Sequence, residues 1–373
     1  MNLKILLLFL FVSVSSSQQI FAQEEAPLDP PSLHQKKSAS PFLISPQFRA
    51  PLPEASNTEA LIARQTPIRS QLARGTCSIF ASTAVLESMM IIRGKAQESI
   101  DLSEEWLEYI VEFHRHGEEG SDAPSNFSAL VKYGAINESS MPYIGVDWTD
   151  VKSKLSKERC GKVAKSLKKA CLVSHYSPRL LTAHDNQLSN PSSRLFNLDF
   201  LKVRNEAFQF RDEVFTNHIN SEYQVLSIDE VKALLNRGIP LQIDLDFYYG
   251  AWNHREGPNF GIPRAQEPWA EGMVGYPEIG SVDRKMSEAH PEGHSVVLVG
   301  YDDNAEMKTS QLMEDGSTKE FTYKGVLYFK NSWGASSFGV NFKLNGHPYP
   351  GYGAITQKYA EEFGTFFQLP LKK

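Results

Sequence analysis

Gln71-Leu72-Ala73-Arg74-Gly75-Thr76-Cys77-Ser78-Ile79-Phe80-Ala81 is the stretch on which the reading of this chain turns. Cys77 falls where apolar residues begin to recur at helical spacing, through Ile79, Phe80, Ala84, Val85, Met89 and Ile92, and Gly94 supplies a stop. A thiol at a helix start meets unpaired N–H groups and the positive end of the helix dipole, which favour thiolate near neutral pH. A lone cysteine in that position is more often a small buried hydrophobe. Its partners have to make the case for chemistry.

Two later segments supply candidates. His294 immediately precedes the apolar run Ser295-Val296-Val297-Leu298-Val299, so its ring is expected at a strand's edge, facing a cleft. Asn331 follows Val326-Leu327-Tyr328-Phe329-Lys330 and precedes Ser332-Trp333-Gly334. An amide oxygen there can accept from an imidazole and fix its tautomer, the third member of a nucleophile–base–orienter set. Taken singly, the bland readings are a turn asparagine and a core tryptophan.

Together these blocks resemble the papain family of cysteine peptidases. Thr66 to Gln71 resembles the family's lead-in, and Gln71 stands six residues before Cys77, the family's separation between oxyanion glutamine and nucleophile. Leu102-Ser103-Glu104-Glu105, Met141-Pro142-Tyr143, Gly293-His294, Lys330-Asn331-Ser332-Trp333-Gly334 and Gly351-Tyr352-Gly353 match further family blocks, in family order, over about residues 60 to 360. The resemblance implies an α+β, two-lobed fold, with a helical lobe and a β-barrel-like lobe facing across the active-site cleft. It implies Cys77 as nucleophile, His294 as base, Asn331 as orienter and Gln71 in the oxyanion hole. Gly120 and Ser121 would bind substrate backbone, and the substrate would be a peptide or protein. No cofactor and no metal is expected. Acyl transfer and aminopeptidase activity use the same set, and a non-catalytic relative would have no need of all four residues.

The chain departs from the family in several places. Arg74 stands where a second cysteine is usual, so the disulfide beside the nucleophile is missing. Ser78 replaces a tryptophan, and Ser121 the second glycine of a Gly-Gly pair. The Cys77–His294 separation exceeds the roughly 130–150 positions typical of the papain type, which places insertions near 147–222 and 255–292. Asp244 reads either as lining the pocket for the second substrate side chain, where it would favour a basic residue, or as a solvated strand residue. Asn126 and Asn137 each open a glycosylation sequon.

The rest of the chain bounds these readings. Its 373 residues are 41% hydrophobic and 22% charged, an ordinary globular composition, and a formal charge of −6 offers nucleic acid no basic surface. Lys4, the apolar run Ile5 to Val14 and Ile20-Phe21-Ala22 read as a signal peptide over 1–22. The run is too short to span a bilayer, so no stable membrane insertion is expected after cleavage, and the protein is expected to be secreted, extracellular or periplasmic. Residues 23–60 are proline-rich and read as a leader or linker; 61–373 form one peptidase domain with the two insertions. Helical patterns dominate the first half and strand patterns the second, including Leu241–Leu245, Ser295–Tyr301, Gly325–Lys330 and Tyr352–Thr356. Three cysteines in an oxidising compartment leave an odd thiol. Cys160 and Cys171, close in sequence, are the natural pair, which leaves Cys77 free.

Overall fold

A computed structural model describes residues 51–115, 119–146, 154–215, 223–369 and 371. The signal-peptide reading and most of the leader lie outside these residues. The described end of the leader packs down: Ser56 N–H donates to Tyr301 O at 3.0 Å and Asp303 N–H to Glu54 O at 2.8 Å, and helix α1 (Thr58–Ile62) follows.

Helix α2 (Cys77–Ile92) is buried along nearly its whole length and on all faces, as expected of a helix that is apolar all round. It ends as predicted. Lys95 N–H reaches back to Met90 O around Gly94, whose φ of 65° suits the left-handed cap. Helix α3 (Glu104–Arg115) is capped by Ser103, whose Oγ accepts from Trp106 N–H. Helix α4 (Ala123–Tyr133) starts at Ala123 because the Asp122 side chain accepts from Ser125 N–H.

The 147–222 insertion is helical where described: α5 (Lys154–Cys160), α6 (Lys168–Ser174), α7 (Arg179–Thr182), α8 (Asp185–Ser189) and α9 (Leu198–Val214). Cys160 and Cys171 are bridged, with Cα atoms 5.7 Å apart. Helix α6 packs on α3, and α9 on α4. A Cβ on Gly134 would collide with the Ala207 carbonyl of α9, so glycine permits that close approach.

The second half is built on a seven-stranded sheet. In chain order come β1 (Gln224–Val225), α10 (Ile228–Asn236), β2 (Leu241–Asp246), α11 (Gln266–Ala270), β3 (Met273–Val274), α12 (Val282–Ala289), β4 (Gly293–Leu312) and β5 (Thr318–Lys330). A small ribbon, β6 (Lys343–Leu344) with β7 (His347–Pro348), precedes β8 (Tyr352–Thr356), α13 (Gln357–Phe363) and β9 (Gly364–Phe367). The sheet order is β1-β9-β2-β4-β5-β8-β3. Among the described residues only β3–β8 is parallel, and β3, from the 255–292 insertion, extends that edge. The alternation in β2 predicts one solvated face, yet Leu241 to Leu245 are all buried. Helices α2, α4 and α13 cover this central strand, and Ser82 on α2 donates to Gln242 Oε1.

Candidate active site

Cys77 is the first residue of α2, buried and outside the disulfide. Thr76, the N-cap, makes no cap bond with its side chain. Its hydroxyl instead meets Tyr143 OH at 2.7 Å, and Tyr143 OH donates to Gln71 O at 2.9 Å. Since the tyrosine proton goes to Gln71 O, Thr76 is the donor of that pair. The Met-Pro-Tyr block thus pins both ends of the loop that delivers the thiol.

His294, on β4, and Asn331, just past the end of the neighbouring β5, come together. His294 Nε2 and Asn331 Oδ1 are 2.9 Å apart. An amide oxygen only accepts, so Nε2 carries the hydrogen. His294 Nδ1 is buried, with no hydrogen-bond partner among the described residues. The ring lies flat on Trp333, centroids 4.5 Å apart at 27°, and takes the edge of Trp252 at 5.1 Å. Trp269, from the 255–292 insertion, stacks on the far face of this aromatic group, 5.4 Å from Trp333 at 17°. Burial pushes the His294 pKa down to about 4, against the opposing pull of the Asn331 bond.

Gln71 is tied to the same loop. Its N–H donates to Ser332 O at 2.9 Å, and Ser332 Oγ donates to its Oε1 at 2.8 Å. With the amide oxygen so engaged, the NH₂ points back over the loop that leads into Cys77, donating to Arg74 O at 2.8 Å. Ser70 also bridges to Trp333. A cavity of about 20 Å³, lined among others by Phe80, Ala81, Ser295, Asn331 and Ser332, sets the first turns of α2 against the residues around His294.

Residues 52–189 match the model of the papain family cysteine protease. Xylellain, a cysteine protease from Xylella fastidiosa, superposes with a TM-score of 0.53 at 16% identity, covering 93% of this chain and 98% of that one. The chain is papain-like in fold, and residues 52–189 are papain-like in sequence. Entamoeba histolytica cysteine proteinase 1 is 37% identical over 93 residues, 24% of this chain and 30% of the relative. Cysteine proteinase 2 of the same organism is 34% identical over 86 residues, 22% and 27% respectively. The papain-like chain thus spans under a third of the length of these curated relatives. Its family match contains Gln71, Cys77, Gly120 and Ser121; His294 and Asn331 lie beyond it.

In this papain-like chain Gly120 has φ 85° and is buried, and Ser121 N–H donates to Ser78 Oγ at 3.1 Å. The serine that replaces the family's tryptophan therefore takes up the backbone donor of Ser121. Asp244 is not solvated. Its carboxylate is buried and accepts from Ala123 N–H, Ser295 Oγ and Gln242 Nε2 at 2.6 to 2.9 Å. Burial still pushes its pKa up to about 6. Asn126 is also buried and donates to Ser82, so its sequon offers no accessible amide; Asn137 is exposed.

Four participants went unread in the sequence: Ser332 and Tyr143 as orienting hydroxyls, and Trp252 and Trp269 as walls around His294. Ser332 and Tyr143 sat inside quoted blocks, where a motif match names a position without its bond. Trp269 comes from the 255–292 insertion and Trp252 from the segment after β2, both outside the quoted blocks, and only the fold brings them to the ring.

Proposed function

We propose that this protein is an exported cysteine peptidase that hydrolyses peptide bonds through Cys77. The observation that carries this reading is the His294 Nε2–Asn331 Oδ1 bond, which commits one ring nitrogen and leaves Nδ1 for a thiol proton. Cys77 Sγ gives that proton to Nδ1 and bonds to the peptide carbonyl carbon. The negative charge moving onto the carbonyl oxygen is met by the Cys77 N–H and the Gln71 amide. Collapse breaks the C–N bond as His294 passes the proton to the leaving amine. Water then attacks the thioester, with His294 as base, releasing the acid and restoring the thiol.

Burial alone keeps His294 neutral at pH 7. The imidazolium therefore forms only with thiolate beside it, whose charge offsets the desolvation. Gly120 presents backbone to the substrate. Asp244, its charge already met by protein donors, contributes architecture more than specificity. Export is supported by the N-terminal apolar run and by the Cys160–Cys171 bridge, which belongs to an oxidising compartment. Profiling the mature protein on a peptide library, with and without a thiol-directed inhibitor, tests the reading. Inhibitor-sensitive cleavage supports it; cleavage indifferent to the inhibitor, or none, counts against it.

A further inference from the structure

Three residues before the nucleophile, the structure buries a full positive charge. Arg74 has no exposed surface and sits where the family resemblance calls for a cysteine. Its guanidinium reaches four separate segments. Nε donates to Glu119 Oε1 at 2.5 Å; one terminal nitrogen donates to Glu105 Oε2 at 2.8 Å and Ile144 O at 3.0 Å; the other donates to Val173 O at 3.1 Å and lies 3.9 Å from Glu108. Those partners belong to the segment leading into Gly120, to α3, to the turn after Tyr143, and to α6 beside the disulfide. Burial works against the charge, but Glu105 foremost among the carboxylates raises the Arg74 pKa well above its usual value. Burial likewise opposes the Glu105 charge, and Arg74 reverses that, holding Glu105 below the usual range. The planar fork of arginine suits such a multipoint site; a lysine has no equivalent geometry.

The backbone around Arg74 is held by the same assembly. Glu119 Oε2 accepts from Gly75 N–H at 3.1 Å, so one carboxylate grips both the Arg74 side chain and the next peptide group. Arg74 O accepts from the Gln71 amide at 2.8 Å. Fixing Arg74 therefore fixes the carbonyl against which Gln71 is aimed and the peptide that leads into Cys77.

We infer that Arg74, clamped by Glu119 and Glu105, is a positioning residue for the oxyanion hole, doing by ionic hydrogen bonds what a disulfide beside the nucleophile would do covalently. This rests on the peptidase reading above. The link acts on the orientation of Gln71 and of the Gly75–Cys77 backbone, so its loss is felt where charge develops on a carbonyl oxygen. It is not felt in the nucleophilicity of the thiol itself.

Glu119→Gln tests this, because glutamine offers one acceptor oxygen where two contacts need one each. Two rates are compared per titrated Cys77: hydrolysis of a peptide amide, and alkylation by iodoacetamide, a displacement that develops no oxyanion. The expected result is a fall of about 10- to 100-fold in kcat, in keeping with the cost of a misplaced catalytic group. KM and the alkylation rate should stay within about twofold of the parent, the uniform-binding terms being intact. Unchanged kcat, or hydrolysis and alkylation falling together, would overturn the positioning role and leave Arg74 a structural ion pair. Should Glu119→Gln not fold, Glu119→Asp keeps both oxygens but draws them back by one methylene, and the same comparison applies. Failure of the peptidase reading itself shows separately, as wild-type hydrolysis that survives Cys77→Ala.

Discussion

Asn331 Oδ1 and His294 Nε2 lie 2.9 Å apart beside a ring of tryptophan, so the imidazole's tautomer is set by a bond that water reaches poorly. Asn331→Ala removes the acceptor and leaves the ring stacked on Trp333 but free to turn. Peptide hydrolysis is expected to fall, though by less than the roughly 10²–10⁴-fold that a whole general acid–base contributes. Steady-state kinetics across pH should show a distorted profile as well as a lower maximum. An unaltered profile and rate would remove Asn331 from the site.

Ser332 and Gln71 make a graded pair. On the proposed mechanism Gln71→Ala deletes one of two oxyanion donors and is expected to cost about 10²–10³ in kcat with little change in KM. Ser332→Ala deletes only the hydroxyl that orients the amide, so its loss should be smaller and should vanish in the Gln71→Ala background. Additive losses, or a rise in KM with kcat untouched, would argue that Gln71 serves binding or structure.

A third expectation concerns acid. His254 is held down to about 3, by burial first and then by Arg255, His294 and Arg264. Unfolded, it titrates near 6.5. Below that pH the unfolded chain takes up a proton that the folded chain refuses, so the stability tied to His254 is intact above pH 6.5 and drains away toward pH 3. The slope is about 1.4 kcal/mol per pH unit. Asp244, raised by burial to about 6, works in the opposite sense, so the informative quantity is a difference. Urea unfolding of wild type and His254→Gln from pH 7 to 4 should show wild type losing stability more steeply. Parallel curves would contradict a buried neutral His254.

What was legible in the sequence was local or sharply patterned. Strand β8 over Tyr352–Thr356 and the stop of α2 at Gly94 stand where alternation and glycine put them. The α+β, papain-like fold followed from blocks in family order. The β4–β5 hairpin runs longer than its apolar stretches predict, because beyond Tyr301 and before Gly325 its residues are mostly polar, and pairing such as Gln311 with Lys319 is held by backbone bonds that composition does not announce. A carboxylate in an alternating strand such as Asp244 looks solvated from sequence; the cover of the sheet by α2 and α4 is what buries it. The stacking of Trp269 on Trp333 joins positions far apart in sequence, and no local rule anticipates it.

Labelling tests the role of Cys77 as nucleophile most directly. Mature protein is treated with a thiol-directed irreversible inhibitor while residual peptide hydrolysis is followed, and the adduct is located by mass spectrometry. One adduct on Cys77, loss of activity in step with its formation, and no hydrolysis by folded Cys77→Ala are the predicted results. Hydrolysis that persists after Cys77 is fully modified, or that is undiminished in Cys77→Ala, would contradict it.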